Sequence, residues 1–121
     1  MFLATSNPAR RLLLLNYRGQ VRPEELRDGR ADLKTLLAGL PAGFHLLVDL
    51  SGLEAMHPDC AAELGRIMDL LDQSGVGLVV RVIPKPDKDI GFNILTIFHY
   101  QHRPQIITCE SMAEAALRLS L

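Results

Sequence analysis

The chain lacks an excess of charge of either sign. Its 121 residues carry thirteen Lys and Arg against fourteen Asp and Glu, which gives a formal net charge of −1 at pH 7. A protein that binds nucleic acid or an anionic membrane through charge needs a strongly basic surface. We therefore expect neither nucleic acid nor a membrane as a partner.

Long apolar runs are also missing. No stretch approaches the roughly 18 apolar residues that a membrane-spanning helix needs, and the opening MFLATSNPARR lacks the basic-then-apolar order of a signal peptide. The length and the 48% of hydrophobic residues fit one globular domain. The sequence therefore predicts a single cytoplasmic domain over residues 1–121.

Cysteines and catalytic motifs are scarce. Cys60 and Cys109 are too few for a disulfide scaffold and fit a reduced intracellular protein, although one bridge between them stays open. The sequence has no C-x-x-C or H-E-x-x-H metal motif, no G-x-x-x-x-G-K-[ST] phosphate loop and no serine nucleophile elbow. We therefore expect no metal, no cofactor and no enzymatic activity.

What the sequence does have is an alternation of apolar runs with helical periodicity. Runs bounded by Gly, Pro and Asn predict strands at 2–6, 10–21, 44–50, 76–83 and 104–108. Apolar residues at helical spacing predict helices at 23–40, 58–74, 90–103 and 111–121. The order predicts an α/β fold with a mostly parallel central sheet, an N-terminal hairpin and about four helices.

Three segments carry a family resemblance. FHLLVDLSGLEAM, QSGVGLVVRVI and ITCESMAEAALRL resemble the central strand with its following turn, the next strand, and the last strand and helix of the STAS domain. This is the fold of bacterial anti-sigma-factor antagonists. The resemblance covers nearly the whole chain, and it implies a non-enzymatic module that binds another regulatory protein, such as an anti-sigma factor or a kinase.

The chain departs from that family at one loop. Where the family ordinarily reads Asp-Ser-Ser/Thr-Gly, this sequence has His57, Pro58, Asp59 and Cys60. The family's first serine or threonine is the phosphoacceptor, and Pro58 has no hydroxyl, so the resemblance implies that this site is not phosphorylated. Pro58 also suits a first helical position, and Asp59 suits the first turn. Helix-start architecture explains both residues, and a fixed negative charge at Asp59 that locks the module in one state is the alternative.

A partner-binding surface is predicted at one edge of the sheet. Asp49 ends the central strand, and the segment 57–60 follows it. Because ligands of open α/β sheets bind outside the carboxyl ends of the strands, these residues form a candidate surface together with three charged residues after the next strand: Lys85, Asp87 and Lys88. Ordinary solvation of polar loops is the alternative.

Several residues leave other functions open. Cys60 is expected to be a buried structural cysteine; its place near a helix start, with His57 close by, leaves a thiolate of lowered pKa, and with it a nucleophile or redox sensor, as the alternative. His99 and His102 stand three apart, as in a metal-binding or pH-sensing pair or at a solvated helix end. The apolar helix at 90–103 also allows a homodimer, or a carrier that holds a small apolar or anionic ligand between this helix and the sheet.

Overall fold

The computed structural model describes residues 1–83 and 99–120. Its centre is a five-stranded sheet in which the strands lie in chain order. The strands are β1 Phe2–Asn7, β2 Leu12–Val21, β3 His45–Met56, β4 Leu78–Val82 and β5 Gln105–Cys109. Strand β1 is antiparallel to β2, and all other neighbours are parallel. The predicted α/β fold, with its N-terminal hairpin and mostly parallel sheet, is confirmed.

The described part of the chain contains three α-helices and a short 3-10 turn. The helices are α1 Pro23–Ala38, α2 Cys60–Gln73 and α3 Met112–Arg118, and the turn is Pro8–Arg10. Helices α1 and α2 each connect two neighbouring parallel strands, and α3 follows the last strand, β5. Most of the helix predicted at 90–103 lies outside the described residues, and so do Lys85, Asp87 and Lys88.

The two faces of the sheet are covered differently. Helices α1 and α2 pack on one face, where the larger apolar cluster includes Leu26 and Leu33 of α1 and Ile67 and Leu71 of α2. Helix α3 covers the other face near β4 and β5, where Ala115 packs in a smaller cluster. Both α1 and α2 therefore begin at the same edge of the sheet, because each leaves the carboxyl end of a parallel strand.

The N-terminal hairpin packs closely against α1 through the side chain of Phe2. The rings of Phe2 and Tyr17 lie 5.0 Å apart between their centroids. A Cβ atom added at Gly29 of α1 would overlap the Phe2 ring. Glycine ordinarily weakens a helix interior by about 1 kcal/mol relative to alanine. Here Gly29 makes room for the aromatic side chain that closes the core over β1.

Two of the differences between predicted and observed element ends lie beside the predicted binding surface. Strand β3 continues to Met56, six residues beyond the predicted end at Leu50, because β2 is long enough to pair with it as far as Val21. Helix α2 begins at Cys60 and not at Pro58. The amide of Ala61 bonds to the carbonyl of Pro58 at 3.2 Å, three residues back, so Pro58 lies in a tight turn that precedes the α-helical bonding pattern.

Candidate functional site

An open cleft of about 600 Å³ lies at the carboxyl ends of β2 and β3. It forms where the chain leaves β2 to enter α1 and leaves β3 to enter α2, so the two diverging connections make its walls. The described residues that line it are Gln20, Val21, Arg22, Pro23, Glu24, Ala55, Met56, His57 and Asp59. The cleft therefore lies at the sheet edge where the sequence predicts a binding surface.

His57 and Asp59 present exposed polar groups to this cleft. Their side chains are 57% and 79% exposed. The backbone amide of Asp59 donates to Nδ1 of His57 at 3.1 Å. Since Nδ1 accepts this bond, neutral His57 carries its proton on Nε2. That hydrogen bond lies within the exposed turn before α2, and Oδ2 of the Asp59 carboxylate lies 3.5 Å from the same His57 nitrogen while the side chain stays largely exposed to solvent.

Cys60 lies next to the cleft in sequence but is not one of the residues that line it. Its side chain is fully buried, and its thiol Sγ lies 3.5 Å from the carbonyl oxygen of Val21. Burial raises the pKa of the Cys60 thiol, and the nearby carboxylates of Glu24 and Asp59 raise it further. A thiolate of lowered pKa is therefore the wrong interpretation, and Cys60 is a structural residue of the core.

Asp49 has a structural contact within β3. Its side chain is buried, and Oδ1 accepts hydrogen bonds from the Ser51 amide at 3.0 Å and from the Ser51 hydroxyl at 2.6 Å. The prediction that Asp49 ends the central strand is wrong, because β3 runs on past it. Asp49 is instead level with Val82, the last residue of β4, at the point where β3 loses that neighbour.

Arg22 and Glu24 are cleft residues that the sequence prediction missed. Both stand where β2 passes into α1, and the amide of Arg22 donates to the carboxylate of Glu25 at 2.9 Å, which fixes the start of that helix. The available signal was the position of PEEL directly after a strand. Because β2 and β3 are parallel neighbours, the residues after both strands meet at one edge of the sheet.

A nearly buried carboxylate lies one turn into α2. Oε1 of Glu63 is 2.6 Å from Nη1 of Arg66 and 3.9 Å from Nε of Arg27, and its Oε2 is 3.1 Å from Nη1 of Arg30. Two of these arginines belong to α1, so the carboxylate links the two helices. We call Glu63 with Arg27, Arg30 and Arg66 the arginine cluster.

The predicted histidine pair contacts the other end of α2. Nδ1 of His99 is 2.7 Å from Oδ1 of Asp69, and Nδ1 of His102 is 2.8 Å from Oδ2 of Asp72. The His102 amide also donates to Oδ1 of Asp72 at 3.0 Å. The two histidines therefore join the chain before β5 to α2. In the described ranges, no group of three or more His, Cys, Asp or Glu side chains is arranged to hold a metal ion.

A buried polar group that the sequence prediction missed lies in the core. Arg81 of β4 is 1% exposed and lines a cavity of about 20 Å³ together with Tyr17 and Tyr100. Burial raises the pKa of both tyrosines, and the Arg81 charge partly offsets this rise. Such a cavity holds about one water molecule. It is too small for the apolar ligand of a carrier, whose expected place beside the helix at 90–103 lies outside the described residues.

Sequence comparison finds no match for this chain. No protein-family model matches it, and no curated protein matches it either. None of the helices in the described part of the chain is long and apolar enough to cross a membrane.

Solved structures do match. An uncharacterised DUF3478-family protein with a SpoIIAA-like fold from Shewanella loihica PV-4 is 13% identical, with a TM-score of 0.74 over 98% of this chain and 92% of that one. The anti-sigma factor antagonist SpoIIAA in its unphosphorylated form is 16% identical, with a TM-score of 0.59 over 98% of this chain and 96% of that one.

A third solved structure agrees with these two. The Bacillus cell fate determinant SpoIIAA in its phosphorylated form is 14% identical, with a TM-score of 0.60 over 98% of this chain and 99% of that one. Each match extends over nearly the full length of both chains, so the likeness includes the hairpin, the parallel strands and the helices between them. The chain has the SpoIIAA-like fold, and it is a STAS-like α/β domain.

Proposed function

We propose that this chain is a regulatory protein-interaction module without catalytic activity, and that it binds another protein through the cleft. The observation that carries the proposal is the open cleft of about 600 Å³, into which His57 and Asp59 present exposed side chains. Its partner is a regulatory protein, an anti-sigma factor or a kinase-like protein. One of the similar structures is an anti-sigma factor antagonist, which makes a partner of this class the natural expectation.

The character of the cleft favours a protein partner over a small ligand. It is open to solvent, and both charge signs line it: Arg22 and Glu24 lie where β2 passes into α1, and Asp59 lies between β3 and α2. Small-molecule sites are mostly apolar and enclose most of their ligand. An open surface of mixed charge favours a protein that covers it and matches its charges.

Partner binding by this module is not controlled by phosphorylation of the loop before α2. SpoIIAA is known in a phosphorylated form, whereas Pro58 offers no hydroxyl in the turn before α2. The Asp59 carboxylate supplies a permanent negative charge there. Partner binding at this site is therefore set by the presence of the partner and not by a phosphate on residue 58. We expect the chain to act in the cytoplasm, because both cysteines are free thiols, as in proteins of reducing compartments.

Charge reversal at Asp59 tests the proposal. Tagged wild-type protein and the Asp59→Lys variant are used to isolate partners from an extract of the native cells, and the recovered protein is then titrated against both. We expect the variant to bind at least about tenfold more weakly, because a partner group that faces a carboxylate meets a like charge instead.

The matched control is Asp32→Lys. Asp32 is an exposed carboxylate of α1 outside the cleft, so this substitution makes the same change of net charge elsewhere. Binding by this control should equal that of the wild type. If Asp59→Lys binds the recovered protein as tightly as Asp32→Lys does, the cleft is not the binding site.

A further inference from the structure

The arginine cluster has far more hydrogen-bond donors than its carboxylate can use. Each guanidinium carries five N–H donors and no acceptor, and three of them surround Glu63. Glu63 is 9% exposed, whereas the side chains of Arg27 and Arg66 are 58% and 55% exposed. The Glu63 carboxylate is therefore buried beneath the three arginines, and the side chains of Arg27 and Arg66 are more than half exposed to solvent.

The charges around the cluster have both signs. Lys34 is exposed one turn after Arg30 on the same side of α1. Three acidic residues lie one turn away: Glu24 before Arg27, Asp59 before Glu63, and Asp69 after Arg66, where it is paired with His99. Asp28 is exposed directly after Arg27. Within the cluster itself, three guanidinium groups against one carboxylate leave an excess of two positive charges, on a chain whose formal net charge is −1.

The cluster is also held in place before any partner arrives. Glu63 bonds Arg30 at 3.1 Å across the two helices and Arg66 at 2.6 Å within α2. Ordering long side chains on binding costs conformational entropy, and guanidinium groups that are already anchored avoid part of this cost. Guanidinium groups bind carboxylates in a planar, two-point geometry.

We propose that the arginine cluster is a docking surface for an acidic segment of a protein partner, and that it extends the cleft along α1 and α2. The inference rests on the proposed function, since it specifies the chemistry of the same partner. The cluster begins one turn beyond the cleft on both helices: Arg27 follows Glu24, and Glu63 follows Asp59. One protein can therefore cover both surfaces, with acidic side chains on the guanidinium groups and basic side chains toward Asp59.

A labelled octaglutamate peptide tests the cluster on the purified chain. The variant is the double substitution Arg27→Gln and Arg66→Gln, which keeps the Arg30 contact to Glu63 and with it the link between the helices. The control is the double substitution Arg10→Gln and Arg118→Gln, which removes the same charge from exposed residues elsewhere. We expect the wild type and the control to bind the peptide, and the variant to bind at least about tenfold more weakly.

Two outcomes would overturn the inference. One is an equal affinity of the variant and the control for octaglutamate. The other is that single-stranded DNA of matched charge binds as tightly as the peptide at the same salt concentration, because the surface would then select negative charge and not carboxylate. Either result leaves the Asp59→Lys experiment unaffected, so failure of the cluster and failure of the cleft are distinguishable.

Discussion

The two ends of α2 use polar side chains in opposite ways. At its start, the Asp59 side chain is 79% exposed and the guanidinium groups of the arginine cluster face solvent. At its far end, the Asp72 carboxylate is 7% exposed, and both of its oxygens are bonded to His102. Polar groups whose bonding capacity is used up hold a fold together, whereas polar groups that keep unused capacity are available to a partner. Under the proposed function, the far end of the helix therefore serves stability and its start serves binding.

Cys60 is the first residue of α2, and its buried thiol does not belong to the exposed surface at this end of the helix. A thiol reagent at pH 8 should label Cys60 in the folded protein at least about a hundredfold more slowly than in urea, because the side chain is buried and reaches the reagent only on opening. Peptide mapping separates this label from any label on Cys109, which is also buried. Equal rates with and without urea would place Cys60 in the open part of the site.

The stability of the fold should depend on alkaline pH through three buried groups, Cys60, Tyr17 and Tyr100. Burial raises the pKa of the Cys60 thiol above its ordinary value of 9.0, so the folded state holds this proton more tightly than the unfolded state. The resulting stabilisation is complete below pH 9.0 and is lost as the pH rises through the raised value. Tyr17 and Tyr100 act in the same direction, above their ordinary value of 10.0. The free energy of unfolding should therefore fall as the pH is raised above 9, as urea titrations at several pH values would show.

Removing the buried Asp72 carboxylate at the far end of α2 should destabilise the fold. Asp72→Ala leaves the amide and Nδ1 of His102 without their acceptor, which should cost about 2 kcal/mol in the free energy of unfolding. Asp69→Ala is the matched control at the same end of the helix. Its carboxylate is 45% exposed and makes one contact to His99, so the cost should stay below about 1 kcal/mol. Urea unfolding of the two variants measures the difference, and equal costs would contradict the assignment of Asp72 to stability.

Substitutions at the start of α2 should have the smallest effect on stability. His57→Ala and Asp59→Ala each change an exposed side chain, so the free energy of unfolding should stay within about 0.5 kcal/mol of the wild type. Urea titration under the same conditions checks this. A loss comparable to that of Asp72→Ala would mean that this turn is part of the structural framework and is not free for a partner.

The sequence predicts the sheet well because strand signals are local. Each strand is an apolar run between turn residues, and the parallel order follows from the helices between the strands. The end of β3 could not be predicted in this way, since it depends on the length of β2, the strand beside it. The start of α2 shifts by two residues because the tight turn at Pro58 delays the helical bonds.

The lining of the cleft was predicted only where its residues are close in sequence. His57 and Asp59 were found from one loop, whereas Arg22 and Glu24 belong to another loop that only the fold brings beside it. The same holds for Arg27 and Glu63, which lie on two helices. The strand at 76–83 is a continuous apolar run, as expected of a strand buried on both faces, but the charge of Arg81 gives no local signal that its own side chain is covered.

We propose that the turn at His57 and Asp59, before α2, binds the partner and contributes little to the stability of the fold. Titration of the recovered partner into the Asp59→Lys variant, with urea unfolding of the same preparation, tests it most directly. We predict binding at least about tenfold weaker than for the Asp32→Lys control, with the free energy of unfolding within about 0.5 kcal/mol of that control. Unchanged binding, or a loss of binding that comes with a comparable loss of stability, would contradict the claim.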